Sequence, residues 1–152
     1  MPKNLVSIAN RTRATLVCRQ AAIADTFATR LFGLLGRDRL EPGTGLLLQP
    51  STGVHTWGMR FAIDIVTLDR QRRVVGLWES VEPWRMRGLS ARTRSVLELP
   101  AGQIARAQIS LGDELVLTDQ PLAQVAREAG PLAPFLRFAA PALAALPSAP
   151  LI

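Results

Sequence analysis

Alternation of apolar and polar residues predicts that the first 119 residues form mainly short β-strands. The clearest pair is Ile63–Asp69 and Val74–Val81, which are rich in β-branched residues and flank a hairpin-length polar connection. Four further strands are expected at Ala14–Arg19, Leu46–Leu48, Val96–Leu99 and Glu114–Leu117. Short strands separated by turns rich in Gly and Pro indicate a mainly β fold, a small antiparallel β-barrel or sandwich.

One amphipathic helix is expected between the first two predicted strands. Phe27, Leu31 and Leu34 follow one another at i, i+4 and i+7, and Gly36 ends the pattern. We expect this helix to cap one end of the barrel. A second, shorter turn or helix is expected at Gly102–Arg106.

The composition changes near Asp119, which suggests how the chain is divided. The last 33 residues hold six prolines and only three charged residues, and alanine is abundant among them. We therefore expect one β-rich domain over 1–119 and an Ala/Pro-rich C-terminal extension over 120–152, partly helical or loose.

Single copies of cysteine, histidine and lysine exclude several classes of site. One cysteine, Cys18, allows neither an internal disulfide nor a cysteine zinc cage, and one histidine, His55, excludes multi-histidine metal sites. The lone Lys3 excludes a lysine-bearing phosphate loop. We therefore expect no metal and no cofactor, and we expect Cys18 to be buried and inert.

The net charge of +6 bears on possible partners. Seven arginines fall within 25 residues, together with Trp78 and Trp84, and such a mixture could grip single-stranded nucleic acid. These arginines are Arg70, Arg72, Arg73, Arg85, Arg87, Arg92 and Arg94. Neither an RNA-binding consensus nor a helix-turn-helix pattern accompanies them, so nucleic acid is not the expected partner. A solvated loop explains the same arginines.

Targeting signals are not evident in the sequence. Asn10, Arg11 and Arg13 interrupt the apolar stretch that a secretory signal requires. No stretch reaches the roughly 18 apolar residues of a membrane-spanning helix. We therefore expect a cytoplasmic protein without a transmembrane span.

Candidate ligand-binding residues cluster in the middle of the chain. His55 is the one histidine of the chain, Trp57 and Met59 offer apolar, polarizable contacts, and Asp64 follows within a strand. A packed edge of the core would use the same residues. We expect Asp64, which lies between two isoleucines, to be buried and paired with an arginine or with main-chain N–H groups.

Two further candidates come from the helix and from a late strand. Glu98 lies between Leu97 and Leu99, so it points away from both, which favours exposure to solvent. The alternative is an ion pair with an arginine such as Arg30 on the predicted helix.

Six short motifs, taken in order, resemble the prokaryotic family called domain of unknown function 192. They are Ala28–Gly36, Gly45–Leu48, His55–Asp64, Leu68-Asp69 with Val74-Val75, Val96–Gly102 and Gly112–Leu115. The resemblance covers about residues 14–117 and implies a compact, β-rich domain with the predicted helix. It implies no activity, because the family has no established biochemical function. This chain has Trp57-Gly58-Met59 where the family usually has Phe-Trp-Met.

Three hypotheses on function follow from these residues. The first is a non-enzymatic binding or accessory module, for a small ligand or a protein partner, with a pocket near His55, Trp57, Met59 and Asp64. The second is a small hydrolase or transferase that uses Asp64, His55 and Glu98 as acid and base. The third is an adaptor that docks on a membrane or a partner through its C-terminal extension.

Overall fold

A computed structural model of the chain describes residues 5–26 and 34–118. The elements within these ranges are β1 (Leu5–Asn10), β2 (Thr15–Ala24), β3 (Thr44–Leu48), β4 (Val54–His55), β5 (Ile63–Leu68), β6 (Val74–Val81), β7 (Met86–Arg87), β8 (Ser95–Pro100), α1 (Gln103–Arg106) and β9 (Leu115–Thr118). Seven strands form one sheet in the order β6-β5-β8-β3-β2-β1-β9, while β4 and β7 pair as a separate ribbon. Only the β2–β3 pair among these is parallel.

The seven-stranded sheet curls until its two edge strands meet at one corner. Arg73, just before β6, forms an isolated bridge with Glu114, just before β9. The Val74 N–H donates to the Asp113 carbonyl at 2.8 Å, and the Leu115 N–H donates to the Arg72 carbonyl at 3.0 Å. The edges are thus partly protected, and the expected mainly β, barrel-like fold is confirmed.

The carboxylate of Asp113 holds this corner together. Its Oδ2 accepts hydrogen bonds from Asn10 Nδ2 and Arg13 Nε, each at 2.7 Å, and from the Ser110 N–H at 2.9 Å. Asn10 ends β1 and Arg13 lies in the connection to β2, so one buried side chain ties that turn to the start of β9.

Apolar side chains pack against both faces of the sheet. The inner cluster, inside the curl, draws on all seven strands and α1 and includes Ile8, Val17, Leu47, Val66, Val74, Leu97, Leu99, Ile104 and Leu115. The outer cluster, on the convex face, includes Leu34, Leu40, Leu46, Leu48, Met59, Ile63, Ile65, Val81 and Val96. Strands β5 and β8 contribute to both clusters, and every one of their residues is buried.

Most predicted strands are confirmed, while three observed strands were missed. The missed strands are β1 and the two-residue strands β4 and β7. A strand of two residues has no periodicity to detect, and polar Ser7 and Asn10 weaken the pattern of β1. The short helix is confirmed as α1.

Some predictions fall on residues that the structure does not describe. Most of the predicted helix over Phe27–Gly36, including Arg30, lies outside the described ranges, and Leu34–Gly36 form a turn. The extension over 120–152 also lies outside them. Among residues 5–26 and 34–118, no helix is long and apolar enough to cross a membrane.

Asp64 on β5 is buried and fully paired, as the sequence predicted. Its Oδ1 accepts from the Ser80 N–H at 2.9 Å, and its Oδ2 accepts from the Ile104 N–H at 2.8 Å. Ser80 has a φ of 48° and lies where the β5–β6 register shifts. The partners are main-chain groups rather than an arginine, so Asp64 joins an irregular part of β6 to the first turn of α1.

We expect Asp64→Ala to lower the free energy of unfolding by ~2–5 kcal/mol, because two N–H groups lose their acceptor. Chemical denaturation measures the change. Asp38→Ala is the control, since the Asp38 side chain is 85% exposed in its ion pair with Arg60, and it should shift stability by less than about 0.5 kcal/mol. Equal midpoints for the parent and Asp64→Ala would contradict this structural role.

Candidate functional site

Glu98 lies in the middle of the outer face of the sheet. It stands opposite Ile65 on β5 and opposite Leu46 on β3, and both neighbours belong to the outer apolar cluster. The side chain points away from Leu97 and Leu99, as predicted, but that face is covered, so the residue is only 4% exposed. The expectation that Glu98 faces solvent was therefore wrong.

The covered face changes the chemistry of the Glu98 carboxyl. Burial raises its pKa from an ordinary value of 4.5 to about 8. No hydrogen-bond donor or positive charge among the described residues offsets this effect. At this pKa the carboxyl is mostly protonated at neutral pH, and a protonated carboxyl can donate a hydrogen bond. The alternative ion pair with Arg30 involves a residue outside the described ranges.

His55 forms the edge of a short ribbon beside this face. It lies on β4, opposite Met86 on β7, and its ring stacks on Trp57 with 4.9 Å between centroids and 26° between planes. Its Nδ1 atom is buried and has no hydrogen-bond partner within the described part of the chain. A buried nitrogen without a partner is costly, so this atom is an unsatisfied polar group in the free protein.

Thr56 anchors the loops that carry these rings. Its Oγ1 donates to the Glu82 carbonyl at 2.8 Å and accepts from the Arg85 N–H at 2.9 Å. Its main chain pairs with Arg85 and Trp84 at 2.8 and 3.0 Å. Sequence analysis missed this residue, because a single threonine between two candidate rings gives no signal of its own.

The structure brings together some of the predicted site residues and separates others. Met59 is buried in the outer cluster, which also surrounds Glu98, and Val54 beside His55 packs on the same cluster. Trp57 is in contact with His55 and is half exposed. Asp64 projects from the opposite face of the sheet, since it alternates with Ile63 and Ile65.

This arrangement does not assemble an acid–base pair from Asp64 and Glu98. The two carboxyl groups leave opposite faces, and both Asp64 oxygens accept main-chain hydrogen bonds. Cys18 is buried as expected, and burial raises its pKa to about 12, so the thiol is a poor nucleophile. Within 5–26 and 34–118, no three His, Cys, Asp or Glu side chains gather to hold a metal ion.

Comparison with known proteins places the chain among proteins of unknown function. The family DUF192, described as an uncharacterized ACR, matches residues 8–117. A UPF0127 protein of Thermococcus sibiricus is 29% identical over 110 residues, covering 70% of this chain and 71% of that protein. A UPF0127 protein of Pyrococcus furiosus is 29% identical over 112 residues, covering 70% and 93%.

A solved structure shares the fold. A protein of unknown function from Novosphingobium aromaticivorans matches with a TM-score of 0.63 at 23% identity, covering 74% of this chain and 83% of that one. At this level of identity the likeness concerns the fold alone.

We expect Glu98→Gln to flatten the dependence of stability on pH. In the parent, the folded state holds the Glu98 proton up to about pH 8, whereas the unfolded chain releases it near 4.5. The free energy of unfolding therefore falls as pH rises between these values and levels off above the higher one. Glutamine cannot ionise, so the variant should be more stable than the parent above pH 8, by on the order of several kcal/mol.

Urea denaturation at several pH values between those limits measures this difference. Glu79→Gln on β6 is the matched control, because Glu79 is exposed, and it should follow the parent at every pH. Parallel curves for Glu98→Gln and the parent would show that the carboxyl is solvated or paired.

Proposed function

The chain belongs to the DUF192 family, and we propose that it is a binding module whose site is the region around His55, Trp57, Met59 and Glu98. The observation that carries the proposal is the buried Nδ1 atom of His55, which lacks a partner among the described residues. A ligand that contributes a hydrogen bond to this atom would recover free energy that the free protein forgoes.

The surroundings of His55 suggest the chemistry of the ligand. Trp57 stacks on the imidazole and is half exposed, so it offers an aromatic surface that is already oriented. Met59 supplies a buried, polarizable contact to the same region. We infer that the ligand is a small molecule with a flat or apolar part and a polar group that reaches the imidazole.

Glu98 supports binding in a second way. Its pKa is raised by burial alone, so the carboxyl is mostly protonated at neutral pH and can donate a hydrogen bond. An apolar residue in its place would avoid the cost of burial, so the carboxyl is better explained by recognition than by stability. A carbonyl or another acceptor on the ligand would pair with it.

Binding without catalysis agrees better with this geometry than hydrolysis does. A hydrolase of the expected type needs Asp64 next to His55 or Glu98, and Asp64 is engaged at the opposite face. Among the described residues, His55 Nδ1 also lacks a partner that would orient the imidazole, which acid–base histidines normally have. These points favour the binding module over the enzyme.

A thermal-shift screen of the full chain against nucleotides, sugars, organic acids and aromatic metabolites tests the proposal. A ligand at about 100 times its Kd should add about 2.7 kcal/mol, which corresponds to a rise in Tm of roughly 5–10 °C for a chain of this length. His55→Phe retains an aromatic ring against Trp57 but lacks Nδ1, so any hit should stabilise it much less.

Two further variants sharpen the result. Glu98→Leu, which removes the donor, should weaken the same hits, whereas the exposed Glu79→Leu should respond like the parent. Hits that stabilise His55→Phe as strongly as the parent would place the ligand elsewhere. Turnover of a hit by the parent, lost in His55→Phe, would favour the enzyme instead.

A further inference from the structure

Large apolar side chains are exposed together beside the β4–β7 ribbon. Trp84 is 67% exposed, and Trp57 and Met86 are each 49% exposed. The Trp84 N–H donates to the Thr56 carbonyl at 3.0 Å, and Met86 stands opposite His55. Because Trp57 stacks on His55, the three exposed side chains all lie next to His55 and Thr56. We call Trp57, Trp84 and Met86 the aromatic ledge.

The backbone holds Trp84 outward at a cost. Its φ is 65°, in the left-handed region that bulky residues rarely adopt. Buried Thr56 fixes the main chain on both sides of it, through the Glu82 carbonyl and the Arg85 N–H. A glycine would adopt this conformation without strain, and a polar residue would suit the exposure. A tryptophan there is explained by contact with something outside the chain.

The segment that carries the ledge is strongly positive. Residues 82–94 contain Arg85, Arg87, Arg92 and Arg94 against the single acid Glu82. The ion pairs among the described residues involve Arg11, Arg13, Arg39 and Arg60, none of which lies in this segment.

Two of these guanidinium groups are held in place without being neutralised. Arg87 Nη1 donates to the Met86 carbonyl at 2.8 Å, and Arg94 Nη1 donates to the Ala91 carbonyl at 2.7 Å. Main-chain carbonyls carry no net charge, so both arginines keep their attraction for an anion.

We propose that the aromatic ledge and the arginines of residues 82–94 bind single-stranded nucleic acid. Exposed indole rings offer stacking platforms to unpaired bases, and nearby guanidinium groups offer contacts to phosphates. A duplex hides the faces of its bases, and the described elements present no helix of groove-filling length at the ledge. This proposal does not depend on a small ligand at His55, and it revises the expectation that nucleic acid is not a partner. That expectation used the number of arginines and tryptophans in the sequence, which does not show which of them are exposed.

Fluorescence anisotropy with labelled oligouridylate and oligodeoxythymidylate of about 12 nucleotides tests the proposal on the full chain. We expect binding that weakens steeply between about 50 and 200 mM salt, because phosphate contacts release counterions. The paired duplex of the same length should bind less well. Equal binding of single strand and duplex would overturn the proposal, and so would no binding at the lower salt concentration.

Substitutions separate stacking from charge. Trp84→Gly should weaken single-strand binding by at least roughly five-fold. Its denaturation midpoint should not fall below that of the parent, because glycine relieves the strained φ. The double variant Arg85→Gln/Arg87→Gln should make the plot of log affinity against log salt concentration less steep, by the amount expected for the loss of about two phosphate contacts. Arg19→Gln, an exposed arginine on β2, is the control for a change in net charge and should act weakly.

The remaining alternative is a surface that attracts any polyanion, and competition by an acidic polypeptide tests it. Polyglutamate at matched charge should compete poorly, because it has no rings to stack on Trp84. If polyglutamate competes as well as the oligonucleotide, or if Trp84→Gly binds like the parent, the surface is only an electrostatic one and the proposal is wrong.

Discussion

Burial of β5 and β8 on both faces is the constraint on which the rest of this structure depends. A strand covered on one side can send its polar residues into water, whereas these two strands cannot. A polar side chain on either strand can form hydrogen bonds only with other groups of the protein, and its burial is costly if it forms none. Asp64 finds two main-chain donors and organises the turn from β8 into α1. Glu98, diagonally across the same strand pair, has none among the described residues and remains neutral.

Covering the outer face also explains the unusual loops. The loops around β4 and β7 lie on the outer face, where Met59 and Val54 pack with the outer cluster and Gly88 approaches Thr67. A Cβ on Gly88 would come within 2.5 Å of Thr67 Cγ2, which shows how closely the loop around β7 crosses β5. Thr56, in the loop after β4, connects that loop to the loop around β7 by side-chain and main-chain hydrogen bonds. Because the hydrogen bonds of Thr56 and the contact of Gly88 with β5 fix these loops, the loops can hold Trp84 at a strained φ and leave its ring exposed.

The sequence predicted those parts of the fold that depend on local periodicity. The β5–β6 hairpin, β8, α1 and the burial of Asp64 all follow from residues near one another in the chain. The state of Glu98 could not be predicted in this way, because alternation gives the face of a sheet and not whether other segments cover that face. Exposure of Trp84 and the role of Thr56 depend in the same way on contacts between residues about 26–30 positions apart. Candidate residues could therefore be identified from the sequence, whereas their arrangement into a site could not.

The neutral Glu98 and the positive loop are physically compatible neighbours. The loop crosses the outer face at Thr67, two residues along β5 from Ile65, the cross-strand partner of Glu98. Burial alone accounts for the raised pKa of Glu98, so the arginines of residues 82–94 do not lower it measurably. The apolar contacts around Glu98 and the charge of the loop therefore act separately. The covered face holds a carboxyl that is mostly protonated at neutral pH, and the loop that lies on this face presents Arg85 and Arg92 to solvent.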